Sequence, residues 1–423
     1  MVIQAWIQRF PGRNVRETIL SMSWMRHRAL GVYFSIPFCR SKCSYCNFAS
    51  GVFPASDHDR YVDRLIEDMA GAGNWATQIG ADLPRLVESV YVGGGTPSLL
   101  APGLIQKLFA ALRSHFEVLP RAEITVECAP GQLSEPALNA LADCGVNRIS
   151  LGVQSFVDSE AHASGRLHSR DMVLNDLGRL RAAGIHNISL DLIAGLPGQT
   201  LASWNESLAV LRDTGVPHAS VYMLEVDEDS RLGRELISGG IRYRAGLVPS
   251  EEIIVRQYET AVEWLAGSGL AQYEISNFAR RGFESRHNLR YWHRLPYLGF
   301  GLDASSALYA ESGPDLFRAT STADLKAYLD DAEPRETERL DPARRHEEAW
   351  FLGLRLNSGV DPAELASEFG PDLVAPALEA AKQLTDDGLL EYSGSRIRLT
   401  ARGRILSNEV FVHFLDLNLA TAG

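Results

Sequence analysis

The sequence predicts an α/β fold: a partial, TIM-like (β/α)6 barrel followed by a small α+β domain. Short apolar runs alternate with amphipathic helical stretches from about residue 31 to residue 224, which is typical of βαβ units around a parallel sheet. Six such units are visible without a clear seventh or eighth, so we expect the barrel to stay open. Polar and glycine-rich residues follow the predicted strands, at the edge where the chemistry of such folds collects.

The predicted strands are short, and most have Val, Ile or Leu at the centre. They are Gly31–Ser35, Ser89–Val92, Glu123–Glu127, Arg148–Gly152, Ile188–Asp191 and Ser220–Met223. Apolar stripes at helical spacing lie between them, and such stripes form core far more often than cofactor contacts. The stripes are Tyr61, Leu65 and Met69; Val173, Leu177 and Leu180; and Leu201, Trp204, Leu208 and Leu211. One longer helix is predicted over Glu251–Gly267.

A second domain is predicted beyond the barrel. Residues 30–330 are assigned to the barrel, and residues 331–345, which are acidic and poor in large apolar side chains, to a linker. Residues 346–423 then show three helical segments and a hairpin, a winged-helix-like pattern: Glu347–Leu356, Pro362–Phe369, Val374–Asp387, and Leu389–Tyr392 turning into Ile397–Leu399. The helices lack a basic excess, which favours a docking or lid role over DNA binding.

Composition limits the function classes. The chain has 423 residues, 45% of them hydrophobic, and a net charge of −12, which argues against sequence-independent nucleic-acid binding. No apolar run is long enough for a transmembrane helix. Residues 1–29 are arginine-rich and resemble a transit peptide, but we expect an N-terminal extension, with residues 1–24 a flexible segment or an over-long reading of the start. The cysteine usage predicts a cytoplasmic protein.

Three of the five cysteines stand in one short motif, Cys39-x-x-x-Cys43-x-x-Cys46. Thiolates suit iron–sulfur clusters and zinc, and structural sites of either kind normally use four protein ligands. Three thiolates would leave one iron of a cubane cluster open to another ligand. A disulfide framework is disfavoured, and a zinc site would need His58 or Cys128 as its fourth ligand at an unusual spacing. Cys128 and Cys144 lie among apolar residues and are predicted to be buried.

Several polar residues end successive strands and should therefore share one rim. Tyr33 precedes the cysteine motif, Gly93–Pro97 follows the second strand, and Glu127, Gln154 and Asp191 end or follow the next three. Residues without a Cβ let the backbone approach a ligand closely. The glycine run alone is weak evidence, because it lacks the spacing of either common nucleotide-binding loop.

The cysteine spacing resembles that of the radical S-adenosylmethionine (SAM) superfamily. The resemblance implies a [4Fe–4S] cluster on Cys39, Cys43 and Cys46 whose open iron chelates SAM. It further implies SAM contacts in three groups: Gly94, Gly95 and Thr96 at the methionine amino group; Tyr33 and Tyr45 beside the cluster loop, Tyr45 near the adenine; and Glu127, Gln154, Arg166 and Asp191 at the carboxylate, ribose and amino groups.

Within that superfamily, several strings resemble the coproporphyrinogen-dehydrogenase-related group: Cys39–Phe48, Gly93–Ser98, Gly152–Phe156, Gly165–His168 and Leu399–Gly403. The oxygen-independent oxidases of that group carry a fourth cysteine two residues after the third. This chain has Phe48 there, and it has the H-N-x-x-Y-W motif of HemW-type heme chaperones over His287–Trp292.

The chaperone resemblance implies that His287, Tyr291 and Trp292 handle heme, the imidazole at the iron and the rings against the porphyrin. A histidine that the family usually has after Tyr-Leu-Gly is absent here, where the chain reads Ala304-Ser305-Ser306. That leaves His287 and, more distantly, His293 as candidates for the iron.

We therefore expect a heme chaperone that passes heme to an acceptor protein, with dimer formation possible. Two alternatives stay open. One is a radical SAM coproporphyrinogen III dehydrogenase acting on porphyrinogen propionates. The other is an interaction protein in which the cluster is a relic and the C-terminal domain recruits a partner.

Overall fold

The computed structural model describes residues 29–415. The predicted N-terminal extension over residues 1–29 therefore lies, apart from Ala29, outside the described residues. The same holds for the last part of the C-terminal domain, residues 416–423.

The six predicted strands are confirmed as the parallel centre of one sheet, and each is longer than predicted. They are β1 (Ala29–Ile36), β2 (Leu86–Gly94), β3 (Glu117–Cys128), β4 (Arg148–Gln154), β5 (Asn187–Ala194) and β6 (His218–Met223). Each pairs in parallel with the next. The carboxyl ends of all six consequently meet at one edge of the sheet.

Helices follow each of these strands, and each predicted apolar stripe faces the sheet. The helices are α1 (Ser56–Ile79), α2 (Pro102–His115), α3 (Glu135–Asp143), α4 (Asp158–Ala163), α5 (Arg170–Ala182), α6 (Leu201–Thr214), α7 (Arg231–Ser238) and α8 (Glu251–Gly267). Tyr61 and Trp204 are fully buried in the main core. The helix predicted over Glu251–Gly267 is confirmed with those bounds.

Six further strands extend the sheet on both sides, and none of them was predicted. They are β7 (Ala271–Gln272), β8 (Asn277–Ala279), β9 (Tyr297–Gly301), β10 (Ser305–Tyr309), β11 (Leu316–Thr320) and β12 (Glu336–Leu340). The resulting order is β12-β11-β10-β9-β1-β2-β3-β4-β5-β6-β8-β7. Two short helices, α9 (Arg286–Trp292) and α10 (Leu325–Leu329), lie in the same stretch.

The segment predicted as a linker, residues 331–345, contains regular secondary structure. Its middle forms β12, which pairs antiparallel with β11 over five residue pairs, and its end begins the helix α11 (Pro342–Arg355). Only Leu340 of β12 is buried. An edge strand held by backbone hydrogen bonds does not need the apolar alternation by which strands are predicted.

The C-terminal domain has the predicted order of helices and hairpin. It comprises α11, α12 (Pro362–Phe369), α13 (Pro371–Asp386), β13 (Leu390–Ser393), β14 (Arg396–Leu399), α14 (Ala401–Ile405) and α15 (Ser407–Val412). The domain has its own core, in which the Trp350 and Phe414 rings stack with centroids 4.8 Å apart. Ile275, from the loop between β7 and β8, is buried in this core.

The barrel strands carry apolar side chains outward, beneath the helices, and polar ones inward. In β3 the inward positions are Glu123, Thr125 and Glu127, between the buried Ile124 and Val126. This alternation with period two gives the barrel a polar lumen inside an apolar shell.

Candidate cluster and cofactor site

The cysteine motif lies in the loop after β1, at the carboxyl edge of the barrel. Backbone hydrogen bonds fix the loop to the end of β2: Gly95 N–H donates to Ile36 O at 2.7 Å, and Thr96 N–H to Phe38 O at 2.8 Å. Cys39 N–H donates to Gly51 O at 2.8 Å, which closes the loop on itself. These backbone hydrogen bonds therefore fix the position of the cysteine loop at the end of the barrel.

The three thiols of the motif are free and have different neighbours. Arg166 Nη1 donates to Cys43 Sγ at 3.5 Å, Thr96 Oγ1 lies 4.0 Å from Cys39 Sγ, and Cys46 Sγ lies 3.8 Å from Ser50 Oγ. Burial raises the pKa of the Cys39 thiol. Donors beside sulfur, and a cation above all, favour the thiolates that an iron–sulfur cluster needs.

A single-ion site such as zinc receives no support. Within residues 29–415, no three His, Cys, Asp or Glu side chains converge as ligands of one ion. His58 stacks on Phe38 with ring centroids 3.9 Å apart, and Cys128 is buried with a pKa raised to about 12 by that burial. A cubane iron–sulfur cluster does not need ligands that converge on one ion, because each thiolate binds a different iron and the cysteine sulfurs stay apart. The predicted burial of Cys128 and Cys144 is confirmed.

The glycine run after β2 allows the close packing for which it was singled out. Gly94 has a φ of +106°, a conformation that side chains with a Cβ rarely adopt. A Cβ on Gly95 would lie 2.8 Å from Phe38 O and 2.9 Å from Cys39 Sγ. The run is thus pressed against the cysteine loop, so that a ligand on the cluster would meet backbone here.

Glu127 ends β3 directly beside this run. Its carboxylate accepts from Tyr91 Oη at 2.8 Å and from Gly94 N–H at 3.2 Å. Burial raises the pKa of Glu127 to about 7, although the Tyr91 hydrogen bond opposes the shift. The carboxyl is therefore poised to lose its proton when a cationic group arrives.

Asp191 lies in the same layer, on β5. It accepts from three hydroxyls: Ser150 Oγ at 2.9 Å, Ser189 Oγ at 3.1 Å and Ser220 Oγ at 2.7 Å. Burial raises its pKa, and these hydroxyls limit the rise. The serines fix the carboxylate as a rigid acceptor at the edge of the lumen.

Gln154 and Arg166 complete the predicted set from the β4 side. Gln154 has a φ of 66°, a strained value for a residue with a Cβ, and among residues 29–415 its buried Oε1 has no hydrogen-bond partner. Arg166 spans from Cys43 to the Gly152 carbonyl. A strained residue with an unsatisfied buried acceptor is typical of a ligand-binding position. The residues present therefore fit SAM.

Tyr33 and Tyr45 occupy different places. The Tyr33 ring faces Tyr91 inside the lumen, with centroids 6.2 Å apart. Tyr45 lines a cavity of about 340 Å³ with Tyr222 and Met223 at the end of β6. Beside the cluster loop, that cavity offers an aromatic wall to a planar base. The contact of Tyr45 with the adenine stays a prediction.

The H-N-x-x-Y-W motif forms α9, and the structure does not bring it to the cysteine loop. Its first backbone N–H groups, of Arg286 and His287, donate to the Glu123 carboxylate at 3.2 and 3.0 Å, and His287 also contacts Ser89. Ser89 is the fourth of the nine residues of β2, and it pairs with Glu123 in the middle of β3. At the rise of a strand, Ser89 lies about 16 Å from Gly94. The motif is thus the floor of the barrel, and the cluster loop lies at its mouth.

The imidazole of His287 is fully engaged inside this floor. Nδ1 lies 2.9 Å from Ser89 Oγ, and Nε2 lies 2.8 Å from Tyr291 Oη. The side chain is 1% exposed, and burial lowers the pKa of His287 to about 3. Iron ligation by His287 stays a prediction, and it would require the motif to leave the barrel.

Trp292, at the end of α9, faces the C-terminal domain instead. The Arg355 guanidinium lies 4.4 Å from the centre of its ring, and Arg294, just beyond, forms a two-pronged ion pair with Glu368 at 2.9 and 2.8 Å. Ser305, the serine at the place of the family's usual histidine, has a structural contact: its Oγ lies 3.1 Å from Thr320 Oγ1.

Sequence reasoning missed two lumen residues that shape the site. Tyr91 holds Glu127, and Arg148 is 2% exposed with no hydrogen-bond partner for its Nε among the described residues. Both lie on inward positions of predicted strands. The period-two alternation that identified the strands could have identified them too.

Comparison with known proteins now bears on this geometry. Residues 33–211 match the radical SAM superfamily, and residues 340–406 match the HemN C-terminal domain. A protein named heme chaperone HemW from Lactococcus lactis is 34% identical over 93% of this chain and 100% of its own length. A protein of the same name from Bacillus subtilis is 34% identical over 90% and 98%. The chain belongs to the HemW-type heme chaperone family.

Membership in this radical SAM family implies a [4Fe–4S] cluster and SAM, for which the site described above supplies fitting residues. A solved structure, coproporphyrinogen III oxidase (HemN) from Escherichia coli, has a TM-score of 0.77 at 23% identity, covering 92% of this chain and 90% of that one. It confirms the predicted fold. Among the described residues, no helix is both long and apolar enough to cross a membrane.

Proposed function

We propose that this protein is a heme chaperone, located in the cytoplasm, that binds heme and a SAM-ligated [4Fe–4S] cluster and transfers heme to an acceptor protein. The similarity to proteins named heme chaperone HemW over nearly the whole chain carries the proposal. Both modules of the fold are covered by that similarity, so the proposal applies to the chain as a whole.

The residues at the mouth support the cofactor half of the proposal. Cys39, Cys43 and Cys46 would hold the cluster, and Arg166 would neutralise part of its negative charge. Gly95 would let the methionine moiety of SAM approach, and Glu127 would meet its ammonium group. When bound, the cluster supplies an electron and SAM a reducible sulfonium. The chain itself binds, orients and shields them.

Phe48 separates this proposal from the catalytic alternative. It stands where the coproporphyrinogen oxidases that the motif resembles carry a fourth cysteine, and its side chain is 64% exposed on the cluster loop. A phenyl ring cannot serve as a metal ligand or proton donor. Binding of an apolar cargo suits it better than porphyrinogen oxidation does.

Heme titration of the anaerobically reconstituted protein tests the proposal. We expect a saturable change in the Soret band, followed by loss of heme to an apo-acceptor of higher affinity. The absence of any Soret change would refute it. Conversion of coproporphyrinogen III to protoporphyrinogen IX in the presence of SAM and reductant would favour the dehydrogenase instead. Failure to bind SAM, measured by calorimetry, would favour a protein with a relic cluster.

A further inference from the structure

Exposed apolar side chains surround the mouth of the barrel. They come from the cluster loop, from the segment after α4, from the end of β6 and from α7 with the loop behind it: Phe48, Val52, Leu167, Tyr222, Leu236, Ile237, Ile241 and Leu247. Ile241 is 92% exposed and Ile237 is 68% exposed. So much apolar surface around one opening marks a binding surface rather than ordinary scatter.

The segment 231–247, which we call the mouth segment, is fixed to both sides of this opening. Leu232 N–H donates to Ser44 O at 2.8 Å in the cluster loop. Gly198 N–H, in the loop after β5, donates to Leu247 O at 2.7 Å. The exposed side chains of the mouth segment therefore border the same opening as Phe48 and Tyr222.

The mouth segment also carries four exposed arginines, in a chain whose net charge is −12. Arg231 donates to Lys42 O at 3.0 Å and Arg234 to Asp229 O, both backbone carbonyls that leave the cationic charge unneutralised. Arg242 lies over the Tyr243 ring, and Arg244 is exposed beside it. The segment thus alternates apolar and cationic side chains toward solvent.

Glu235, the one acidic residue of the mouth segment, and Asp227, just before the segment, accept hydrogen bonds from within the protein. The Glu235 carboxylate accepts from Tyr243 N–H at 2.8 Å and from Ala245 N–H at 3.1 Å. Asp227 accepts from Asn47 Nδ2 at 3.1 Å. Within residues 231–247 the arginines therefore dominate the charge that an approaching anion meets, whereas Glu225, Glu228 and Asp229, just before the segment, are exposed acids.

We propose that the mouth segment, with Phe48 and Tyr222, is the surface on which heme binds. This inference rests on the proposed function and assigns its cargo to the mouth. Heme combines a broad apolar face with two carboxylates on one edge, which matches apolar side chains beside arginines. An anionic bilayer matches less well, because the chain as a whole is strongly negative. His287, at the floor, is closed to heme in this conformation.

Equilibrium heme titration of the reconstituted full-length protein tests the assignment with two variants. Ile237→Ser with Ile241→Ser is expected to weaken heme binding about tenfold, because apolar contact area is lost. Arg242→Gln with Arg244→Gln is expected to weaken binding of heme but not of heme dimethyl ester, which lacks the carboxylates. Hydrogen exchange with heme bound should slow in residues 231–247.

Matched controls place the same chemistry elsewhere. Tyr392→Ser with Val412→Ser removes exposed apolar groups from the C-terminal domain, and Arg181→Gln with Arg212→Gln removes exposed charges from the outer helices. Both should bind heme as wild type does. If both mouth-segment variants bind heme with wild-type affinity, the inference is overturned and the proposed function is not. If the wild-type protein shows no Soret change, the proposed function itself is overturned. If the mouth-segment variants bind anionic vesicles more weakly than wild type but bind heme equally well, the surface belongs to a membrane and the inference is overturned.

Discussion

Glu127 should make SAM binding depend on pH. Its pKa of about 7 means that the carboxyl is mostly protonated at pH 6 and mostly ionised at pH 8. Because only the ionised form attracts an ammonium group, SAM affinity should rise about tenfold over that interval and level off above it. Isothermal titration at several pH values measures this.

Two variants show whether Glu127 is the responsible group. Glu127→Gln should bind SAM weakly with no pH dependence near 7. Tyr91→Phe removes the hydrogen bond that stabilises the ionised form, so the midpoint should move upward. An unchanged profile in Glu127→Gln would assign the pH dependence to another group.

His287 should contribute to stability before any heme is added. His287→Ala would leave Ser89 Oγ and Tyr291 Oη without their partner and open a buried cavity. We expect a loss of about 2 to 4 kcal/mol in the free energy of unfolding. Urea unfolding of the heme-free protein measures it, with His186→Ala as the exposed control. Equal stability of the two variants would contradict the structural assignment of His287.

At the scale of residues, the sequence could predict which side chains end strands but not which ones meet. Glu127 and Asp191 were identifiable because parallel strands end at one edge. The contact of His287 with Ser89 joins positions 198 residues apart. No local pattern records such a pair, and a functional motif looks the same whether its histidine is exposed or buried.

Among the elements, the glycine run is sensitive to the addition of a single methyl group. Gly95→Ala would place a Cβ against Phe38 O and Cys39 Sγ and so displace the cluster loop. We expect reconstituted Gly95→Ala to hold less than about half of the wild-type iron, since such contacts must shift backbone. Gly103→Ala, where a Cβ meets nothing within 4 Å, is the matched control. Wild-type iron content in Gly95→Ala would contradict the packing described.

The stack of Arg355 on Trp292 should couple α9 to the C-terminal domain. Arg355→Ala removes the cation and should lower the free energy of unfolding by about 1 to 2 kcal/mol. It should also speed amide exchange in residues 286–292, because α9 loses its contact with the C-terminal domain. Arg402→Ala, an exposed position in the same domain, is the comparison. If exchange in α9 is unchanged while the domain itself is destabilised, the coupling does not exist.

Helices and central strands were predictable because they bury whole faces, whereas β7 to β12 were not. β7 and β8 have only two and three residues, and most of β12 is exposed. These strands exist because neighbouring strands offer unpaired backbone groups. Tertiary pairing of that kind leaves little mark on composition.

At the scale of the whole molecule, Ile275 ties the two modules together. It leaves the barrel region and is buried in the core of the C-terminal domain. Ile275→Ala should lower the stability of that domain by about 2 to 4 kcal/mol and separate a single thermal transition into two. Calorimetry measures this, with the more exposed Ile253 changed to Ala as control. A single transition at the wild-type temperature would contradict the coupling.

The two ends of the barrel hold different motifs, and the sequence does not show which motif lies at which end. The mouth holds the cysteine loop, the glycine run and the carboxylates, and the floor holds α9 against the C-terminal domain. Predicting that separation requires the register of β2 with β3. The motif residues themselves, however, could all be named in advance.

β1, the strand that leads into the cysteine loop, gains its second neighbouring strand late in protein synthesis. β1 pairs on one side with β2 and on the other, in parallel, with β9, where Gly31 aligns with Tyr297. The ribosome therefore releases the three ligand cysteines long before it makes the strand that encloses their base. Contacts so distant in sequence form slowly. We expect iron delivery to follow chain completion, so that a translating or truncated chain ending before residue 297 presents the thiols without a site to hold them.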